Sequence, residues 1–166
     1  MDLFKILTYP NPVLRRHCEE IKNIDEELHL IVRRMAATMY KAKGIGLAAP
    51  QVGILRQIIT LDIGEGLLTL INPRITLHEG EAKMEEGCLC LPKITVEVPR
   101  YEKVQVRGVD LDGNQVTIDA EGLLARALQH EIDHLHGRLI IDKVSRLKRD
   151  LIIKQYKKLN ANGDNT

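Results

Sequence analysis

Two histidines four residues apart, with a glutamate between them, stand at positions 130–134 as HEIDH. On a helix such residues lie one above the other, with Cβ atoms about 5–6 Å apart. Both imidazoles can then reach one ion at about 2.0–2.1 Å. Glu131 follows the first histidine, where its carboxylate can act as general base on water polarised by that ion. Two histidines do not complete a catalytic centre, which usually takes three protein ligands and leaves one position open. The helix downstream carries Asp142 and Asp150 nearby but no glutamate, and His136 lies around the helix from His134, so His136 is expected to be exposed. The remaining candidates are the thiols of Cys88 and Cys90 in GCLCLP (87–92), since thiolates bind borderline metals well. A third stretch, GIGLAAPQ (44–51), lacks the Lys and Ser or Thr of a phosphate loop. Its glycines suit a tight turn or a close approach to a ligand, and Gln51 ends it with an amide donor suited to an oxyanion.

The elements that must position these residues are partly legible. Asn11-Pro12 pairs a capping residue with proline, which predicts a short helix over VLRRHC. Asp25 opens a clearer helix in which Leu28, Ile31, Val32, Met35 and Met39 recur at helical spacing to about Lys43, with Gly44 ending it. QIITLDI (57–63) and KVQVRGVDL (103–111) read as strands, and Asp112-Gly113-Asn114 turns the second into QVTIDA as a hairpin. Glu121 to about His136 reads as the helix bearing HEIDH, stopped by Gly137, and a last helix runs from about Ser145 to Leu159. Strands and helices do not alternate regularly, so an α+β fold is expected.

Composition excludes several classes. A chain of 166 residues suits one domain and buries about 70% of its unfolded surface. With no Trp, one Phe and four Tyr, there are few platforms for stacking bases. A net charge of +1 gives no general attraction to polyanions, and no specific DNA binding is expected. Three cysteines do not make a secreted disulfide framework. No signal-peptide pattern opens the chain and no long apolar run crosses a membrane. A reduced, cytoplasmic protein is expected.

Together, GIGLAAPQ, EGCLCLP and QHEIDHLHG, in this order and spacing, resemble the three motifs of peptide deformylases. ILTYPNPVLRRHCEEI resembles the N-terminal segment of the same family, and the likeness, to the bacterial type, covers nearly the whole chain. It implies a single compact α+β domain over residues 1–166, with antiparallel strands around a central metal-binding helix, a C-terminal helix, and a frayed tail from about residue 160. The implied activity is hydrolytic removal of the N-formyl group from the formyl-methionine of nascent polypeptides, releasing formate. Cys88, His130 and His134 would hold one divalent ion, iron(II) in the cell with zinc, nickel or cobalt as substitutes. Glu131 would be the general acid and base, with Gln51 and the backbone N–H of Leu89 holding the oxyanion. Ile45, Gly46, Met84, Gly87, Leu123, Arg126 and Ala127 resemble the methionine pocket and peptide clamp. Plain core packing is the competing reading for Leu123 and Met84, and a solvated edge charge for Arg126. Glu86 and Arg100 are expected to pair and brace the ligand strand.

Cys90 stands where the family usually has serine. On an extended strand it shares a face with Cys88, so it is expected beside the site without binding the ion, and able to pair with Cys88 when metal is lost. The segment DKVSRLKRDLIIKQYKKL carries seven Lys or Arg against two Asp. The resemblance implies ribosome docking through helix 145–159; an exposed basic face is the plainer reading. Two alternatives stay in view. An HExxH metallopeptidase is disfavoured by the missing downstream ligand. A non-catalytic metal- or ribosome-binding homologue is disfavoured by Glu131, because a structural site needs no base. A mature organelle form also stays open.

Overall fold

Residues 2–161 are described in the computed structural model. The expected first helix is a single 3-10 turn, Pro12–Arg15, capped by Asn11 Oδ1, which accepts from the Val13 N–H at 3.0 Å. Helix α1 (Glu26–Lys41) starts where Asp25 Oδ1 accepts from the Leu28 N–H at 2.9 Å, and buries Leu28, Val32, Met35 and Met39 on one face. It stops earlier than expected, and Lys43, not Gly44, takes the left-handed φ of 59°. A Cβ at Gly44 would lie 2.8 Å from Leu89 Cδ1, the end of a side chain that would have to turn aside.

Seven strands follow: β1 (Gly46–Ala48), β2 (Ile58–Leu61), β3 (Leu68–Glu79), β4 (Ala82–Cys88), β5 (Leu91–Arg100), β6 (Lys103–Val109) and β7 (Gln115–Glu121). Five form an antiparallel sheet in the order β1-β2-β3-β6-β7, and β4 and β5 pair as a separate two-stranded sheet. Helix α2 (Gly122–Leu135) packs on the larger sheet through Ala125, Leu128, Ile132 and Leu135, against Ile59, Leu61, Leu70, Val104 and Val106. Helix α1 covers the opposite face, with Leu47, Ile58 and Ile71 turned toward it. Coverage on both faces explains why β2 is buried at every residue and reads as a mostly apolar run instead of an alternating one.

β3 has a break that hides it in the sequence. Asn72 takes a φ of 51°, and Pro73 follows just beyond the last residue paired to β2. Between Ile71 and Arg74 the register to β6 shifts, so the missing N–H of Pro73 falls where no ladder bond is made. The Asn72 amide exchanges two 2.8 Å hydrogen bonds with the Ile21 backbone, tying the N-terminal segment to this bulge. The expected hairpin between β6 and β7 is present, with Asp110 Oδ1 accepting from the N–H groups of Asp112 and Asn114 at 2.9 Å.

The smaller sheet has its own apolar backing. Ile94, Val96 and Val98 alternate along β5 and pack with Leu14, Ile140, Ile141 and, from helix α3 (Arg146–Asn160), Ile152 and Tyr156. Ser145 caps α3, its Oγ accepting from the Lys148 N–H at 3.2 Å. Asn160 is not part of a frayed tail: it is buried, and its Nδ2 donates to Pro92 O at 3.1 Å. The rest of the tail expected to fray, residues 162–166, lies outside the described residues. No helix is long and apolar enough to cross a membrane among the described residues.

Candidate active site and metal centre

The site lies where the two sheets meet. Helix α2 spends one face on the larger sheet and turns His130, Glu131 and His134 away from it, all three buried. Cys88 ends β4 at a tight turn, where pairing jumps from Gly87–Thr95 to Cys88–Leu91. An irregularity of this kind re-aims a side chain, and here the thiol arrives 3.3 Å from His134 Nε2. Donor atoms of Cys88, His130 and His134 all lie within 4.8 Å of one another, and no fourth His, Cys, Asp or Glu joins the group among the described residues.

Glu86, two residues before Cys88 on the same strand face, organises the histidine. Its Oε1 accepts from His130 Nδ1 at 2.9 Å. With the Nδ1 proton held by a carboxylate, the Nε2 lone pair is left for an ion. Arg100 donates to both Glu86 oxygens at 2.9 Å, as the charges in the sequence suggested. Burial alone would raise the Glu86 carboxyl, but the hydrogen bonds from His130 and Arg100 and the charge of Arg100 outweigh it and hold the carboxyl at about 2. Arg100 also pairs with Asp133, which Lys143 approaches at 3.3 Å.

Arg126 is not the solvated edge charge. The residue is buried, and its guanidinium donates to Glu86, to Val98 O at 2.9 Å and to Ala82 O at 2.8 Å. It borders the cavity, yet its donors are already committed to the β4–β5 hairpin, which makes it a brace and not a solvated charge. Nothing local in the sequence pairs Arg126 with Glu86, forty residues away. Gln129 is a second missed brace: its amide exchanges two 2.9 Å hydrogen bonds with the Tyr101 backbone, pinning the end of β5 to α2. His136 is half-buried instead of exposed, its ring 5.7 Å from that of His17, and it takes no part in the site.

Glu131 lies against β1. A Cβ on Gly46 would overlap its carboxylate, sitting 2.8 Å from Cδ, so a glycine is needed for this close approach. Burial pushes the Glu131 carboxyl up to about 7, partly offset by the charges of His130 and Arg100. Glu131 Oε1 and His134 Nδ1 are buried and find no hydrogen-bond partner among the described residues. Gln51 is also buried, its Oε1 accepting from the Ala48 N–H at 2.8 Å, which aims Nε2 at Cys88 Sγ, 3.5 Å away. Cys90 is fully buried, with its sulfur 3.1 Å from that of Cys88. The hydrogen bond between them, then burial, pushes the metal-free Cys88 thiol up to about 11; a bound cation reverses that order and deprotonates the thiol.

These groups form the floor of a cavity of about 780 Å³, with Cys88, His130, Glu131 and Gln51 in its lining. Every residue assigned to substrate by resemblance borders it: Ile45, Gly46, Met84, Gly87, Leu123, Arg126 and Ala127. Leu89 borders it as well. Ile45, Met84 and Leu123 are 48%, 55% and 49% exposed, an apolar rim and not core. The donor set fits one divalent ion: a soft thiolate, two imidazoles of which one is oriented by a carboxylate, and an open side toward the cavity.

The polypeptide deformylase family matches residues 3–150. The chain belongs to this family. A peptide deformylase of Thermodesulfovibrio yellowstonii is 50% identical over 162 residues, covering 95% of this chain and 98% of that protein. One from Acidobacterium capsulatum is 46% identical, covering 99% of each. Among solved structures, a peptide deformylase of Legionella pneumophila superposes with a TM-score of 0.94 at 38% identity, over 99% of both chains. A peptide deformylase of Ehrlichia chaffeensis, in complex with actinonin, does so with a TM-score of 0.92 at 35% identity over the whole of both. The chain is therefore a metal-dependent hydrolase that removes N-formyl groups from nascent peptides, built on a single α+β domain with antiparallel sheets. Neither the peptidase nor the non-catalytic alternative is favoured.

Proposed function

We propose that Cys88, His130 and His134 hold the ion and that Glu131 moves the proton in deformylation. The observation that carries this reading is the convergence of three donors beside a buried, unpartnered Glu131 oxygen at the floor of an apolar-rimmed cavity. When bound, the ion supplies Lewis-acid polarisation of the formyl oxygen and of water. Glu131 takes the proton of the attacking water and delivers it to the departing amide nitrogen, so formate and a free methionine amine leave. A carboxyl held near neutrality by burial suits both halves of that transfer. Gln51 Nε2, pre-aimed by its bond from Ala48, and the Leu89 N–H donate to the oxyanion. Ile45, Met84, Leu123 and Ala127 receive the methionine side chain, and the backbones of Gly46 and Gly87 bind the peptide. Arg126 contributes its stem to the wall while its guanidinium holds Glu86.

Iron(II) is the ion proposed in the cell, with zinc, nickel or cobalt able to replace it, because a Cys–His–His set suits all four. One catalytic unit over residues 1–166, acting in the cytoplasm and docking on the ribosome through the basic face of α3, completes the proposal.

The test is formate release from formyl-methionyl peptides by wild type and Glu131→Ala, with metal content measured on both. Turnover should fall by about 10²–10⁴-fold or more with metal retained. Full activity in the variant would exclude the assigned role, and loss of metal would assign Glu131 to building the site instead.

A further inference from the structure

One thiol lines the floor of the site and a second lies directly behind it, and the hydrolysis uses only the first. Cys88 and Cys90 are both free, with sulfurs 3.1 Å apart. A disulfide needs about 2.05 Å, so each sulfur would move only about half an ångström. The chain allows it. Residues i and i+2 of a strand are about 6.6 Å apart at Cα, inside the disulfide range of about 4.4–6.8 Å, and the turn at residues 89–90 shortens that span. Access is unequal: Cys88 lines the open cavity, whereas Cys90 is fully buried behind it among Leu91, Ile94 and Ile141. Among the described residues, the Cys90 sulfur has one hydrogen-bond partner, Cys88.

We propose that Cys90 is a resolving thiol, forming a reversible disulfide with Cys88 when the ion is absent and a hydroperoxide is present. The idea rests on the reading of Cys88 as a metal ligand. The Cys88 sulfur attacks hydrogen peroxide; an S–O bond forms, the O–O bond breaks, and the departing oxygen takes the Cys88 proton and leaves as one water. The Cys90 sulfur then attacks the Cys88 sulfenic acid; an S–S bond forms, the S–O bond breaks, and the hydroxyl leaves as a second water with the Cys90 proton. Two thiols lose two electrons and two protons, and one peroxide becomes two waters. The disulfide removes a metal ligand, so the site is switched off. It also intercepts the sulfenic acid before irreversible sulfinic and sulfonic acids form. A dithiol reductant restores both thiols and with them the metal site.

The experiment treats the full chain, zinc-loaded and metal-stripped, with hydrogen peroxide. It reads intact mass, the number of alkylatable thiols, and cobalt(II) binding by its visible absorption before and after dithiothreitol. Stripped wild type should lose two hydrogens and two of its three thiols, with the link mapped to a peptide spanning Cys88 and Cys90, and should regain cobalt binding after reduction. Zinc-loaded protein, in which a redox-inert ion occupies the Cys88 sulfur, should react at least tenfold more slowly. Stripped Cys90→Ser should gain oxygen at Cys88 and not recover. The proposal is overturned if stripped wild type accumulates oxygen at Cys88 as fast as Cys90→Ser, or if the lost thiols map to Cys18. Cobalt binding by untreated Cys88→Ser tests the ligand reading separately: retention there overturns that reading whatever peroxide does to wild type.

Discussion

Replacing Glu86 with glutamine removes one negative charge from a buried cluster that holds two arginines and a histidine of the proposed metal site. The carboxyl is held at about 2 against an ordinary value of 4.5. At about 1.4 kcal/mol per pH unit, that difference stabilises the fold by about 3 kcal/mol. Breaking a buried ion pair by removing one partner independently costs about 3–5 kcal/mol. Glu86→Gln should therefore lose about 3 kcal/mol at pH 7, moving the urea midpoint down by about 1–2 M. The pH dependence is the sharper test. Because the folded carboxyl lies below its unfolded value, its stabilisation is fully present above about pH 4.5 and is lost as pH falls through about 2. The gap between wild type and variant, measured by urea unfolding in matched buffers so that shared titrations cancel, should close between pH 5 and pH 2. A gap under about 1 kcal/mol at pH 7, or one that stays constant down to pH 3, would refute the reasoning. Metal affinity should fall by up to about 10–100-fold as His130 exchanges its carboxylate acceptor for a weaker, neutral amide oxygen.

Gly46→Ala should displace the Glu131 carboxylate it now cradles, cutting formate release by about 10²-fold or more while metal content holds. Gly137→Ala combines a φ of 73° with a Cβ pressed on the Arg15 backbone; thermal unfolding should show a loss of about 2–5 kcal/mol. Neutralising Lys154, Lys157 and Lys158, all exposed on α3, should weaken ribosome pelleting and flatten its salt dependence. Unchanged binding would remove the docking idea, and the core residues Ile152 and Tyr156 make this a gentler test than deleting the helix.

The chemistry was more legible than the scaffold. HEIDH on a helix needs only spacing, and the structure brings Cys88 to it from a strand. Capping by Asp25 and Ser145 and the turn after Asp110 are local signals that survive in the fold. β3 is hidden because Asn72 and Pro73 interrupt it, and their reason lies in a distant partner, Ile21. The alternation of Ile94, Val96 and Val98 in β5 carries an ordinary strand signal, masked by the nearby turn and prolines. Met84 and Leu123 read equally as core or rim, since apolar type alone does not tell which side of a wall a residue faces. The bracing role of Arg126 was not legible because a buried charge is explained by its partners, and those sit on another sheet.

The two sheets share no backbone ladder. Cys88 belongs to one, and His130 and His134 to the helix packed on the other. An ion held by all three would be a clasp across the seam, and its binding free energy would act as cohesion between layers. At a hundredfold excess over its dissociation constant, such a ligand adds about 2.7 kcal/mol. That gain would fall unevenly, so amide hydrogens of the β4–β5 hairpin should exchange earlier than those of the larger sheet once metal is stripped. The free metal concentration would then set not only how many molecules are active but how firmly the cleft keeps its width.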